Sequence, residues 1–345
     1  MIGLFWLDFL DKKQEGFAMK FLNSFNKFME KWMPLVTPTS LVIGVLLEPY
    51  IGKYIFIVPW AFAFMTFSGS LGSGFREMKK VALNPLPLII VMFILHVWMP
   101  LIAFGVGKLL YANNPYFITG ILLVFVVPTG ITSLVWVAMY RGNNVLGLSI
   151  ILIDTLTAPF VIPFSLKLLV GTAVELNTLG MFKDLILMIL VPALLAMTLN
   201  QLTKGNIKKT LAPKLAPFSK AAIVVVVSLN STKIAPYFRD FHLVLLGIAI
   251  TILLLAISGY VWGWLASRIM KSDYADTVAI TVNAGMRNIA TGAVLASQYF
   301  PAAVMFPAMV GTLFQQVLVS FVTAILSKSE KKKINNNIAQ LKNNN

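Results

Sequence analysis

The sequence predicts an all-α integral membrane protein: ten transmembrane helices arranged as two inverted five-helix repeats. Three observations lead there. The chain is too apolar for a soluble domain, its apolar runs have membrane-spanning length, and the spacing of those runs repeats between the halves. Of its 345 residues, 58% are hydrophobic and 12% charged, with a mean hydropathy of +0.82. A chain of that composition buries its surface in lipid. There is no cysteine, which excludes disulfides and thiolate chemistry. The net charge of +15 does not point to nucleic acid, because the lysines and arginines cluster in short loops between apolar runs. That placement is a membrane-orientation signal, so the lipid bilayer is the expected surrounding and no nucleic-acid partner is expected.

Residues 1–32 come first. Phe17, Phe21, Phe25, Phe28 and Trp32 recur every three or four positions, with Lys12, Lys13, Lys20, Lys27 and Lys31 beside them. The pattern predicts an amphipathic helix lying in the membrane interface, its lysines snorkelling. It lacks the order of a cleavable signal peptide. Ten apolar segments follow, at roughly 33–52, 54–73, 84–111, 116–139, 144–169, 180–202, 216–235, 241–268, 275–299 and 301–327. The tail, 328–345, is basic and rich in asparagine and is expected to be disordered.

Alternate loops differ in charge. With the termini, the loops after even-numbered segments carry 21 of the 28 Lys and Arg residues. The opposite loops carry six, and Arg287 is the remaining one. Both termini are therefore expected on the cytoplasmic side of the cell membrane. Segments three, four and five begin near 84, 116 and 144; segments eight, nine and ten begin near 240, 273 and 301. Five segments per half is an odd number, so the halves are inverted, a pattern found in transporters.

Two segments carry polar interruptions at matching places, and Gly130 and Gly285 lie 155 residues apart. In segment four, Pro128 removes a backbone donor and Gly130 permits unwinding. In segment nine, Asn283, Gly285, Arg287 and Asn288 fall within six residues. Unwinding there, at Asn283-Ala284-Gly285, would free polar backbone groups, which a membrane tolerates only against protein or a water-filled cavity. The half-helices after Gly130 and Gly285 would point positive ends at the gap, toward an anion. The substrate site is therefore expected where segments four and nine cross. Gly130, Ile131, Thr132, Ser133, Asn283, Gly285 and Asn288 would line it, with Gln316 from segment ten.

Three ionisable residues stand within the apolar segments. An arginine at a helix centre costs about 2.5–3.5 kcal/mol on insertion scales. Arg287 is expected to pair with Asp154 on segment five, as a structural ion pair, as a functional cation with its counter-ion, or as both. His96 on segment three is either a hydrogen-bonded packing residue or a proton-titrating group. Gln315, beside Gln316, either lines the cavity or ties helices together, and Asn230, Ser231 and Thr232 either face it from segment seven or end that helix. No phosphate loop, H-E-x-x-H pattern or nucleophile with a base is present, so neither enzyme activity nor a cofactor is expected.

Certain stretches resemble the bile acid:sodium symporter family. They are Pro128-Thr129-Gly130-Ile131-Thr132-Ser133, Arg141-Gly142-Asn143, Thr155-Leu156-Thr157-Ala158-Pro159 with Pro163, and Asn283-Ala284-Gly285-Met286-Arg287-Asn288. The ten-segment layout agrees over about residues 30–327. The resemblance implies a panel domain (about 33–73 and 180–235) against a core domain (about 84–169 and 241–327), with segments four and nine discontinuous and crossing. It also implies transport of a small organic anion. Family members with two sodium sites usually have Glu where this chain has Asn283, Gln where it has Arg287 and Asn where it has Leu134. His96 stands for a Gln, and Gly147 and Ile151 stand for hydroxyl residues, while Ser133 and Asn288 are retained. Arginine offers only donors and a positive charge. Ser133, Leu134, Gly147, Ile151, Asn283 and Arg287 thus mark vestigial sodium positions, and no metal is expected. The expected function is a sodium-independent carrier of a small organic anion, with proton coupling through His96 or Asp154 as a possibility. The alternatives are a sodium-coupled symporter, a non-transporting sensor, and an exporter resembling arsenite or auxin carriers.

Overall fold

The structure is a computed structural model that describes residues 22, 24–29, 31–33, 35–74, 85–239 and 242–343. Among the described residues it is helical with no strand. Most of the interfacial helix expected over 1–32 lies outside the described residues. Seven helices among the described residues are long and apolar enough to cross a membrane.

In chain order, the main helices are α1 (Leu35–Leu46), α2 (Glu48–Ser70), α3 (Leu86–Leu110), α4 (Pro115–Val126), α5 (Ser133–Met139) and α6 (Asn144–Val170). Then come α7 (Thr178–Leu202), α8 (Ala212–Thr232), α9 (Leu243–Ile269), α10 (Tyr274–Gly285), α11 (Ile289–Tyr299) and α12 (Ala302–Asn343). The junction expected between the first two segments falls in a 3-10 stretch, Gly52–Ile57, inside α2. The disordered tail is not observed: α12 continues to Asn343. No glycine or proline interrupts the chain from Thr312 onward, so nothing local ends that helix.

Asparagine and aspartate start several helices by accepting orphan N–H groups. Asn114 Oδ1 accepts Phe117 N before α4. Asn143 Oδ1 accepts both Val145 N and Leu146 N before α6, at 3.1 Å each. Asp273 Oδ1 accepts Asp276 N at 2.7 Å before α10. Arg141 turns the chain into Asn143 with a left-handed φ of 56°.

Two proline effects shape the long helices. In α3, Pro100 has no N–H to offer the carbonyl four residues back, and its ring crowds that carbonyl. The helix answers with a π turn over Ile94–Trp98, where Met99 N donates to Ile94 O. Pro192 does the same in α7, giving a π turn over Ile186–Leu190. His96 lies in the first of these turns.

Two sets of contacts dominate the packing, joined by α7 lying along α6. α2 lies against α7 and α8, while α9 lies against α10, and α12 against α4 and α11. Glycines allow the closest approaches. A Cβ on Gly120 of α4 would sit 2.5 Å from the Val304 carbonyl oxygen and 2.8 Å from Pro307 Cγ on α12. A Cβ on Gly285 would sit 2.1 Å from the Tyr260 ring. Gly120→Ala is therefore expected to destabilise by about 1–3 kcal/mol through overpacking. The thermal unfolding midpoint of the detergent-solubilised protein should fall. Gly105→Ala, where nothing lies within 4 Å, should leave the midpoint level or raise it slightly; equal losses at both sites would discount the close α4–α12 contact.

Candidate functional site

Segment four breaks as the sequence leads one to expect. Val127, the residue before Pro128, is extended (φ −70°, ψ 151°), the conformation a following proline favours. The chain is non-helical over 127–132 and resumes as α5. Segment nine also breaks, but later than expected. Asn283, Ala284 and Gly285 remain helical in α10, and Met286, Arg287 and Asn288 are the unwound residues. Gly285 is needed for contact with Tyr260, not for unwinding.

The two breaks meet. Asn288 N donates to Pro128 O at 2.6 Å. A Cβ on Gly130 would be 3.3 Å from Arg287 O, so a side chain there would crowd the second strand. Ser133 Oγ donates to Asn283 Oδ1 at 2.8 Å, and Asn283 Nδ2 donates to Ala279 O. The remaining freed groups are satisfied from neighbouring helices. Thr129 N donates to Asp154 Oδ2 on α6 at 2.6 Å. Gln315 Nε2 on α12 donates to Arg287 O at 2.7 Å. Arg287 itself caps α10, its Nη1 donating to Ala284 O at 2.8 Å and to Met286 O at 3.2 Å. A cation at a helix C-terminus is stabilising, and in a partly buried setting by up to about 2 kcal/mol.

The expected contact between Asp154 and Arg287 is absent: the two act on each other only through space. Asp154 is fully buried and faces His96, with Nε2 and Oδ1 2.8 Å apart. That is an ion-pair distance when the imidazole is protonated, and His96 Nδ1 on the other side of the ring is buried without a partner. The π turn in α3 places His96 there. The carboxylate is thus engaged by a backbone amide on one oxygen and an imidazole on the other, and the arginine by carbonyls.

A cavity of about 140 Å³ lies beside the break, between the two packing groups. Ser70 and Ser73 near the end of α2, Ile131, Leu134, Ile151 of α6 and Met197 of α7 line it, with Lys208 beyond α7. Of the residues expected at the site, Ile131, Leu134 and Ile151 face this cavity. Ser133 and Asn283 are spent on each other. Asn288 caps α11 by accepting Thr291 N, and Gln316 Oε1 accepts Trp136 Nε1 at 3.2 Å. Gly147 packs against Asn283, where a Cβ would be 3.3 Å from Nδ2. Of the segment-seven residues, Ser231 and Thr232 bond to their own helix backbone, and both amide atoms of the buried Asn230 are unpartnered. With seven residues, α5 has only a weak dipole to offer an anion. Ser70, Ser73 and Met197 carry no sequence signal, since small or apolar residues on a membrane helix look alike whichever way they face.

Polar ties between the two groups lie away from this cavity. The Tyr299 hydroxyl donates to Asp184 at the start of α7, and Lys233 Nζ donates to Ser297 O.

A model of the SBF-like CPA transporter family matches residues 55–330. The chain belongs to this family. It is 45% identical over 300 residues to YbaS of Bacillus subtilis (strain 168), covering 87% of this chain and 98% of that protein. It is 26% identical over 261 residues to YocS of the same organism, named a sodium-dependent transporter, covering 74% and 78%. It is 28% identical over 242 residues to a probable sodium/metabolite cotransporter, chloroplastic BASS1 of Arabidopsis thaliana, covering 68% of this chain and 58% of that one. The resemblance to bile acid:sodium symporters therefore stands. This SBF-like protein is a multi-pass membrane protein of a transporter family, not an enzyme, and its ligands are small molecules.

The geometry assigns Asp154 to His96 in preference to Arg287. In double-mutant cycles on thermal stability, His96→Gln with Asp154→Asn is expected to show a coupling of about 0.5–3 kcal/mol. That coupling should exceed the one between Asp154→Asn and Arg287→Gln. The reverse order would mean that the carboxylate serves the arginine.

Proposed function

We propose that this SBF-like protein carries a small organic anion by alternating access and without sodium. The observation that carries the reading is the cavity between the two packing groups, set against the meeting point of two broken helices. In this reading segments one, two, six and seven form the panel, segments three to five and eight to ten form the core, and the whole comprises ten spans in two inverted repeats. The seven long helices, the short α1 and the two broken pairs α4–α5 and α10–α11 support that count. The cavity reaches Lys208, on the side whose loops carry most of the positive charge. The ties Tyr299–Asp184 and Lys233–Ser297 lie at the other end. That asymmetry fits an inward-facing state in the cell membrane with both termini cytoplasmic. The substrate would lie against Ile131, Leu134 and Ile151, with Ser70 and Lys208 supplying polar contact.

Sodium independence rests on chemistry at the crossover. Arg287 occupies the position where the resemblance implies a neutral oxygen ligand, and a fixed cation there repels sodium. Leu134 and Ile151 offer no oxygen, and Asn283 spends its Oδ1 on Ser133. The His96–Asp154 pair is a buried group through which a proton could take sodium's place. A second reading, sodium coupling, is favoured by the names of two relatives.

Thermal-shift screening of the purified protein against organic acids should identify a stabilising substrate, since binding to the folded state raises apparent stability. Uptake of that substrate into proteoliposomes is then expected to be unchanged when sodium is replaced by potassium or choline at constant pH. A severalfold, saturable increase with sodium would establish the second reading. Binding without uptake or counterflow would mark a sensor.

A further inference from the structure

Behind the crossover, on the face away from the substrate cavity, lies a second and smaller space. It measures about 20 Å³; most of its wall is apolar, from α4, α9 and α12, and its polar side chains are Tyr260 of α9, Arg287 and Gln315 of α12. A space of that size holds one water-sized particle. Its polar boundary is unusual in composition. Arg287 is 3% exposed and uses only Nη1 within the protein; Nε and Nη2 have no partner. The Tyr260 hydroxyl is likewise buried without a partner. These groups are donors: arginine can only donate, and a phenol donates readily. No carboxylate touches them, because Asp154 is held by Thr129 N and His96. The N-terminus of α11, an eleven-residue helix, adds its positive end.

Three unused donor atoms, two of them on one guanidinium cation, beside a space for a single particle describe the surroundings of an anion. Water could accept two of these hydrogen bonds, whereas a halide can accept all three and lies directly against the guanidinium, whose charge Asp154 offsets only from a distance. A carboxylate or phosphate is too large. We propose that Arg287 and Tyr260 form a buried site for a monatomic anion, chloride or another halide, distinct from the substrate cavity. The site explains how a charge can be kept at the crossover without an ion pair. The halide would hold Arg287 in the rotamer that caps α10 and so keep the second break in its observed shape.

The test uses the full-length protein in detergent, with thermal unfolding followed in chloride, bromide or gluconate at matched sodium and ionic strength. Chloride and bromide are expected to raise the midpoint saturably, and gluconate is not. Arg287→Gln should abolish the halide dependence. Tyr260→Phe, which keeps the ring packed on Gly285, should raise the half-saturating halide concentration severalfold; it also decides the matter if the arginine variant does not fold. Crystals soaked in bromide should show an anomalous peak beside Arg287. Equal midpoints in chloride and gluconate with no bromide peak would mean the space holds water only and would overturn the proposal. A halide effect that persists unchanged in Tyr260→Phe, with the bromide peak elsewhere, would overturn it equally. None of these readouts requires the transported substrate, so their outcome is separable from that of the transport assignment.

Discussion

The structure depends on satisfying backbone polar groups where two membrane helices stop in mid-span. An unpaired peptide group in an apolar setting costs several kcal/mol, and each break frees several at once. The protein meets this need locally. Pro128 O takes Asn288 N, Thr129 N goes to Asp154, Arg287 O takes Gln315, and the last carbonyls of α10 take Arg287 Nη1. Each break thus supplies a partner for the other. The buried carboxylate, the buried arginine and the glutamine of α12 are held in place by the same requirement. Their presence deep in an apolar chain follows from main-chain chemistry before any ligand is considered.

Seen this way, the cost of the ionisable residues is shared between fold and site. Arg287 compensates a helix end and, with only donors and a positive charge to offer, is no ligand for a cation. Asp154 stabilises an amide of the unwound strand and in doing so is unavailable to Arg287. The imidazole of His96 stands next to it because Pro100 forces a wider turn into α3. A single residue type on one helix therefore determines which base meets the buried acid on another.

Much of this was legible in the sequence, and the departures have identifiable causes. The break at Pro128 could be read because proline acts on its own helix, whatever surrounds it. The sequence places the break in segment nine three residues too early, because Gly285 looks like a site of unwinding. Its real constraint, the ring of Tyr260, is twenty-five positions away in sequence and invisible to any local pattern. The pairing of Asp154 with Arg287 followed from opposite charges alone. The choice of His96 instead required knowing the π turn, for which Pro100 was the available sign. The tail was read as disordered from its composition, yet it lacks any residue that ends a helix and simply continues α12. The cavity-facing Ser70, Ser73 and Met197 had no signal, since helix orientation within a membrane is fixed by partners and not by polarity.

The turn between α5 and α6 has a mechanical consequence. Besides capping its own helix, Asn143 donates its backbone N–H to Ala275 O at 2.9 Å and its side-chain amide to Asp276 at 2.7 Å. α10 is thereby fastened to the α5–α6 turn at its first turn, fastened again about eight residues on, where Ser133 meets Asn283, and held just past its end, where Pro128 meets Asn288. Two attachments roughly 12 Å apart along one helix brace the pair: α10 can neither swing about one anchor nor slide along the other without breaking both. The crossed helices form a braced frame, and any large displacement is left to the surfaces around it.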